Sequence, residues 1–537
     1  TPLFTMPIPG SKTARLQIPG PAQTKELLDF VVGEAKSVGF KNAADRTLQA
    51  QRAASSLAWE VLRDGDLLKA LDPTQAADET QAPRLLRLLF ERLGATYVKV
   101  GQFIASSPTL FPAPYVLEFQ KCLDQSPTLP FDTIRGIIEA ELGAPISEVF
   151  ESLDPEPLAS ASIAQVHAAV LKPKYASGGD GKAVVKVLKP GVEATLRTDL
   201  AALTIAAQVL ESLAPEASRL SVADIALDLR ESMIGELDLR TEADRLEVFK
   251  RFLVDQGLDR TATCPTPVAA LTTRKVLTMS RLAGAPLLDA KSDDSSAGEA
   301  AVCAALEAWC RSVTDCDFFH ADVHGGNILL LDDGRVGFLD FGIVGTLPEG
   351  IWGAVAQMTE GLAQGDMRLV ALSLIDMGVA RSGEGEIKDV EALAQDLGNV
   401  LAALGKAQQQ EPQAAEAAGE GGANDAALGL EVASLALDVV GAAERNGLSL
   451  PREFGLLVKQ ALYFDRYIQS LAPGLNPLTD SRINAVRRGG RDLSRDPRAA
   501  EASAAQTAQA AAEHRRGGAG AEEEEEEGEG LQSPKTV

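Results

Sequence analysis

The segment from His320 to Gly342, HADVHGGNILLLDDGRVGFLDFG, concentrates the residues best suited to chemistry. It sets Asp322 five positions before Asn327 and Asn327 thirteen before Asp340-Phe341-Gly342, with Asp333-Gly334 as a turn between two apolar runs. Magnesium-dependent phosphoryl transfer needs oxygen ligands for a hard cation and a carboxylate beside the attacking hydroxyl, and this order supplies both. Strand, turn and strand would carry the second aspartate back beside the first. Either half alone is weak, because a loop aspartate is more often a turn former. The joint match in order and distance is what points to a phosphoryl-transfer site. His320 is expected to prop the loop; for His324, phosphate contact and loop bracing are both open.

Such a site also needs a lysine on a strand to hold nucleotide phosphates. Ala183-Val184-Val185-Lys186-Val187 reads as a buried strand carrying one cation, with Lys182 and Lys189 at its ends as the alternatives. Where a glycine-rich phosphate loop would lie, the chain has the alanine-rich run Leu158 to His167, including Ala159, Ser160, Ala161, Ser162 and Ile163. By itself that run says little in an alanine-rich chain.

The elements that must position these residues follow from periodicity. Apolar spacing of three and four predicts helices between Thr24 and about Leu93, a helical pair over 94–106 and 114–124, and a helix over 131–142 that starts after Pro130 and stops at Gly143. Strands are expected over 164–171 and 183–188 around the turn-rich 173–182, and again over 275–280. Helix follows the second strand to about 253, and helices return from about 297, interrupted by a loop-rich block at 320–350. Segments 1–23 (Pro/Gly-rich), 405–427 (low complexity) and 486–537 (Arg/Gly-, then Glu-rich) read as an extended arm, a disordered insertion and an unfolded tail.

Composition narrows the function classes. The 537 residues carry 51 Lys plus Arg against 76 Asp plus Glu, a net charge of −25, which disfavours broad attraction to nucleic acid or anionic lipid. Nine of the glutamates lie in the last 37 residues, so most of the acidity belongs to the body. Five cysteines (Cys122, Cys264, Cys303, Cys310, Cys316) without a C-x-x-C argue against a disulfide framework or a zinc site. No run of about 18 apolar residues suggests a membrane span, and the first twenty residues lack the pattern of a secretory signal.

Four motifs, in order, resemble the UbiB/aarF-like (ADCK-type) family of atypical kinases, in particular its plant and algal plastid branch, over about 80–480. They are Tyr97-Val98-Lys99-Val100-Gly101-Gln102 (K-x-G-Q), the alanine-rich ASASIAQVH, Glu236-Leu237-Asp238 followed by Glu242-Ala243, and HADVHGGN with DFG. The resemblance implies a mixed α+β, two-lobed protein-kinase-like fold with an added N-terminal helical element carrying K-x-G-Q. Its parts would be a helical extension over 24–157, an N-lobe with inserted helices over 158–283 and a C-lobe over 284–485.

In that fold Lys186 would hold the phosphates and Glu242 would pair with it. Asn327 and Asp340 would bind Mg²⁺, and Asp322 would orient or deprotonate the acceptor. The alanine-rich loop, Met279 of the hinge-like segment 276–284, and Lys99 and Gln102 with Glu236 and Asp238 would border the nucleotide. Lys99 and Gln102 share a helix face, and Asp238 and Glu242, at i and i+4, are expected to form one acidic face. Segment Pro451–Gln460 resembles a family segment near the C-lobe end and is given a packing role.

Val323 and Gly325 replace prolines common in the family, and Ala321 replaces the arginine that holds a phosphorylated activation loop, which argues against that form of regulation. The implied activity is ATP-dependent phosphoryl transfer or ATP hydrolysis, on a small molecule or lipid of prenylquinone metabolism. The implied place is the chloroplast, at thylakoids or lipid droplets attached to them. A nucleotide-binding scaffold with little catalysis and a protein kinase are the alternatives.

Overall fold

A computed structural model describes residues 21–63, 81–105, 111–121, 127–176, 180–213, 222–289, 295–347, 351–382, 389–410 and 441–483, apart from isolated positions within them. These residues belong to one unit ending by Ala485. The expected arm up to residue 20 and the tail from 486 lie outside them, as does 411–427 of the insertion.

The chain starts with helices α1 (Pro21–Val38), α2 (Phe40–Arg63), α3 (Gln81–Leu93), α4 (Ala95–Ala105) and α5 (Ala113–Phe119). Helix α1 begins at Pro21, inside the segment read as an arm, because proline is well suited to the first helical position. Helix α4 is the K-x-G-Q helix. It packs with α3 and α5, through Phe90, Val100, Ile104 and Phe119, onto Leu196 and Leu200 of α8 (Val192–Leu213) and onto Leu229 and Met233 of α9 (Val222–Gly235). Arg46 of α2 ties this group together. Its guanidinium grips the fully buried Asp199 carboxylate of α8, donates to the Leu93 carbonyl at 2.6 Å and lies 5.8 Å from the centre of the Tyr97 ring.

Helix α6 (Phe131–Leu142) has the bounds its flanking residues predict, and Gly143 closes it at φ 67°. After the single turn α7 (Ile146–Val149) comes an antiparallel sheet in the order β1-β2-β3-β5, made of Phe150–Ser160, Ala164–Leu171, Lys182–Leu188 and Val276–Ser280. Strand β1 starts inside the segment read as helical extension. It is a bulged edge strand, with register shifts around Ser152–Pro157 and most residues exposed. Prolines at 155 and 157 are tolerated there because an edge strand leaves backbone groups unpaired. On β3, alternation puts Ala183, Val185 and Val187 against Ile134 and Ile138 of α6, and so turns Lys186 to the opposite face.

Helix α10 (Leu239–Asp255) then runs beneath that face, with Glu242, Leu246, Phe249 and Leu253 forming one buried stripe. A second sheet, in the order β4-β9-β8-β6, combines Ala262–Thr263, Val336–Phe338, Ile328–Leu331 and Gly284–Pro286. A two-strand pair joins β7 (Phe319–His320) to β10 (Val344–Gly345). Gly345 is required in that pair, since a β-carbon there would meet the Phe319 ring at 2.2 Å.

The lower helices α11 (Ser295–Asp315), α12 (Trp352–Gln364), α13 (Met367–Ser382), α14 (Val390–Gln410) and α15 (Arg452–Leu471) enclose the largest core, around Trp309, Phe338, Phe341, Phe464 and Tyr467. Helix α14 continues through residues 405–410, which the low-complexity reading had placed in a disordered insertion. Cys264, Cys303, Cys310 and Cys316 are free thiols, and among the described residues no helix is long and apolar enough to cross a membrane.

Candidate phosphoryl-transfer site

The hairpin β8–β9 is the device that assembles the lower half of the site. Ile328 pairs with Phe338, the turn at Asp333-Gly334 reverses the chain with Gly334 at φ 83°, and the Leu339 amide donates to the Asn327 carbonyl at 2.8 Å. The two ends of the hairpin, Asn327 and Asp340, are thereby brought side by side. Asp340 sits at φ 52°, the one left-handed residue other than glycine among the described residues, and its Oδ1 accepts the Gly342 amide at 3.1 Å. Such backbone strain costs on the order of 1 kcal/mol and persists where the surroundings impose it. They do so here: the Phe341 ring is buried against Phe249 (4.8 Å) and His320 (4.8 Å), and Arg245 of α10 donates to the Phe341 and Gly342 carbonyls at 3.0 and 2.8 Å.

From the sheet above, Lys186 reaches both sides of the cleft. Its Nζ donates to the Glu242 carboxylate at 3.0 and 2.9 Å and to Asp340 Oδ1 at 3.1 Å. Of the alternative lysines, Lys182 pairs with Asp180 on the surface and Lys189 donates to the Pro127 carbonyl. Burial works against the Lys186 charge, yet Asp340 and Glu242 together hold the ammonium above the ordinary lysine range. Burial pushes the Glu242 carboxyl up to about 7 against the pull of Lys186, and the Asp340 charge adds to the rise. Burial also acts to raise Asp340, but Lys186, the Gly342 amide and the more distant Lys99 hold it well below the usual carboxylate range.

Asp322 lies on the loop between β7 and β8. His320, fully buried, donates from Nε2 to the Leu339 carbonyl (2.7 Å) and accepts the Asp322 amide at Nδ1 (3.1 Å), which is the propping role expected of it. Asn327 Nδ2 donates to the Asp322 carbonyl at 3.0 Å, leaving its Oδ1 as an acceptor. His324 turns its Nδ1 to the Gly326 amide and its Nε2 toward Asp322 Oδ2, 3.7 Å away, so it braces the loop.

Helix α15 adds residues that no motif in the sequence marks. Lys459 Nζ lies 3.1 Å from Asp322 Oδ1, and the adjacent Gln460, fully buried, accepts the Val323 amide and donates to the Ala321 carbonyl. Tyr467, two turns further along the same face, donates to the Val323 carbonyl at 2.6 Å. The segment read as packing material therefore also holds both peptide groups beside Asp322. Burial opposes ionisation of Asp322, but Lys459 and the two histidines hold its carboxyl below the usual range.

The upper border is more dispersed. Ala159 and Ser160 end β1, and Ala161 to Ala164 form a tight turn closed by the Ala161 amide on the Ala164 carbonyl, with Ser162 and Ile163 buried. Met279 is buried on β5, and the following Ser280 and Arg281 amides are taken by the Thr266 and Lys182 carbonyls. Lys99 forms a close ion pair with Glu236, both largely shielded, while Gln102 stands half-buried one turn along α4. Asp238 does not join them. It caps α10, accepting the Arg240 amide at 3.1 Å and pairing with the Arg240 guanidinium. The acidic face expected from Asp238 and Glu242 therefore does not form. A capping residue with extended backbone lies outside the helix, where the i, i+4 relation no longer applies.

Asn327 Oδ1 and the half-exposed Asp340 carboxylate, which Lys186 contacts, are hard oxygen donors, and among the described residues no group of three or more His, Cys, Asp or Glu forms a metal cage. That donor set fits Mg²⁺, which commonly takes one or two protein oxygens and completes its shell with water and substrate phosphates. A polar cavity of about 280 Å³ adjoins Gly342, lined by Glu231, Glu236, Arg245 and Glu453 among others. A larger one, about 670 Å³, lies between α6 and the start of α8 and includes no residue of the catalytic-type loop.

The family model described as the ABC1 atypical kinase-like domain matches residues 121–374. A chloroplastic aarF domain-containing protein kinase of Arabidopsis thaliana, itself named uncharacterized, is 45% identical over 413 residues, covering 75% of this chain and 74% of that one. An uncharacterized protein of Mycobacterium tuberculosis is 31% identical over 450 residues, covering 81% and 84%. A probable protein kinase UbiB of Marinobacter nauticus is 36% identical over 247 residues, 46% of this chain and 44% of that protein.

Proposed function

The chain belongs to the ABC1 atypical kinase-like family, and from that premise we propose that it binds ATP with Mg²⁺ and transfers or hydrolyses the terminal phosphoryl group. The observation that carries this reading is the convergence of Lys186, Glu242 and Asp340 from β3, α10 and the end of the β8–β9 hairpin. A buried lysine held by two carboxylates, with Asn327 and Asp322 on the adjoining loop, is what positioning a polyphosphate and an acceptor hydroxyl requires.

In this reading Lys186 binds phosphate oxygens and Glu242 keeps it oriented. Asn327 and Asp340 hold Mg²⁺, which when bound supplies charge neutralisation at the phosphates. Asp322 orients the acceptor and takes its proton at a carboxylate oxygen. The turn at Ala159–Ile163 and the strand end at Met279 border the nucleotide, and Lys99, Gln102 and Glu236 limit access from the α4 side.

The acceptor is a small molecule or the polar head of a lipid, in prenylquinone metabolism of the chloroplast. The Arabidopsis relative's chloroplastic name supports the place, and the acceptor class follows the resemblance to the UbiB-like family. Val32, Leu48 and Trp59, exposed on α1 and α2, are among the described apolar residues open to contact with a membrane or lipid-droplet surface.

The test is ADP release by the purified protein with Mg²⁺, with and without membranes or a phenolic quinone precursor, beside Asp340→Asn and Asp322→Asn. Turnover abolished by either substitution supports the reading. Tight ATP binding without turnover under every condition makes the protein a nucleotide-binding scaffold instead, and labelled phosphate on added polypeptides makes it a protein kinase.

A further inference from the structure

Asp322 is held from two directions. Its own loop supplies His320 and Asn327, which bond its backbone. Helix α15 supplies a second set: Gln460 bonds the peptide groups on either side, Tyr467 bonds the Val323 carbonyl, and Lys459 grips the carboxylate itself. The residue two positions after Asp322, where protein kinases carry a lysine, is His324; its Nε2 stops 3.7 Å short of Oδ2, and its Nδ1 is committed to the Gly326 amide. Lys459 comes instead from 137 residues further along the chain. Its side chain and that of Asp322 are each about one-fifth exposed, so the pair faces the cleft without being dissolved in solvent.

We propose that Lys459 is the positioning residue of the transfer reaction, supplying from α15 the ammonium that protein kinases place on the catalytic loop. It occupies Asp322 Oδ1 and leaves Oδ2 to serve the acceptor, while its charge stands beside the group being transferred. This inference rests on the phosphoryl-transfer reading above. In the step, the acceptor oxygen bonds to the terminal phosphorus as the bond from that phosphorus to the β–γ bridging oxygen breaks. ADP leaves with that electron pair, and the acceptor's proton passes to Asp322. Nucleotide binding before the step depends on Lys186, Asn327 and Asp340, and Lys459 contributes to the step alone.

The experiment compares wild type, Lys459→Met and Lys459→Arg in the full chain by two readouts: ADP turnover, and calorimetric affinity for ADP–Mg²⁺ with and without aluminium fluoride, which mimics the phosphoryl group in flight. Expected for Lys459→Met is unchanged ADP affinity, turnover lower by on the order of 10²-fold, as for loss of one preorganised electrostatic contact, and loss of the extra affinity conferred by aluminium fluoride. Lys459→Arg restores part of both. Turnover equal to wild type, a parallel loss of ADP affinity, or equal defects in the Met and Arg variants overturns the proposal. If wild type itself gains no affinity from aluminium fluoride, the phosphoryl-transfer reading falls and this inference falls with it; if wild type gains it and Lys459→Met does too, only the role of Lys459 is refuted.

Discussion

Replacing Glu242 by glutamine separates what this residue does for stability from what it does for the site. Glu242 is about 5% exposed and its carboxyl is raised from 4.5 to about 7, with burial as the main cause and the pull of Lys186 already included. A carboxyl raised in the folded state gives stability that is fully present below its unfolded value and is lost as pH rises through about 7. At about 1.4 kcal/mol per unit, the loss comes to about 3 kcal/mol across that interval. Glutamine keeps an amide oxygen for Lys186 and does not titrate. The difference in stability between Glu242→Gln and wild type should therefore move by about 2.5 kcal/mol in favour of the variant between pH 5 and pH 8.5, the rest having been lost below pH 5. Urea unfolding followed by the fluorescence of the buried Trp309 measures it, and comparison with wild type at each pH cancels the titrating groups that do not interact with residue 242. Turnover of the variant should fall at pH 8.5, where Lys186 loses its charged anchor, and differ little from wild type at pH 5, where Glu242 is itself neutral. Parallel stability profiles for the two proteins would refute the reasoning.

Three further outcomes follow from the same geometry. Asp322→Asn should lower turnover by roughly 10²- to 10⁴-fold, as for loss of a general base, while ATP affinity measured by calorimetry stays within about twofold. Lys99→Met should cost about 1–3 kcal/mol by leaving the shielded Glu236 without its cation, and adding Glu236→Gln should recover most of it in a double-mutant cycle of thermal unfolding. Gly345→Ala should destabilise by about 1–3 kcal/mol, read as a lower urea midpoint with unchanged slope, because its β-carbon cannot coexist with the buried Phe319 ring.

The parts of this molecule legible in its sequence are those fixed by neighbours in the chain. Pro130 and Gly143 bracket α6, and the alternation in 164–171 and 183–188 gives β2 and most of β3. The run from Asp322 to Asp340 was readable because a hairpin with one short turn converts sequence spacing directly into proximity. Strand β1 was not readable: two prolines and three register shifts erase its period, and its pairing with β2 compensates for both. Asp238 departs from the expected acidic face because helix spacing does not carry across a helix boundary. Lys459 was missed for a different reason, since nothing local to PREFGLLVKQ distinguishes a lysine aimed at a carboxylate 137 residues away from one aimed at water.

The grip of Arg46 on Asp199 makes α2 and α8 mutually dependent through inheritance as well as through space. Removing either partner leaves a charge in a dry site or strips its hydrogen bonds, at a cost of about 3–5 kcal/mol, a large fraction of the 5–15 kcal/mol by which a folded domain survives. A single substitution at either position is therefore a near-dead end, whereas exchanging both for well-packed apolar residues is close to neutral. Drift at these two sites must pass through paired changes. The same arithmetic applies to anyone shortening the protein: cutting before residue 64 removes Arg46, and with it the partner of a fully buried carboxylate on the helix that supports Lys99.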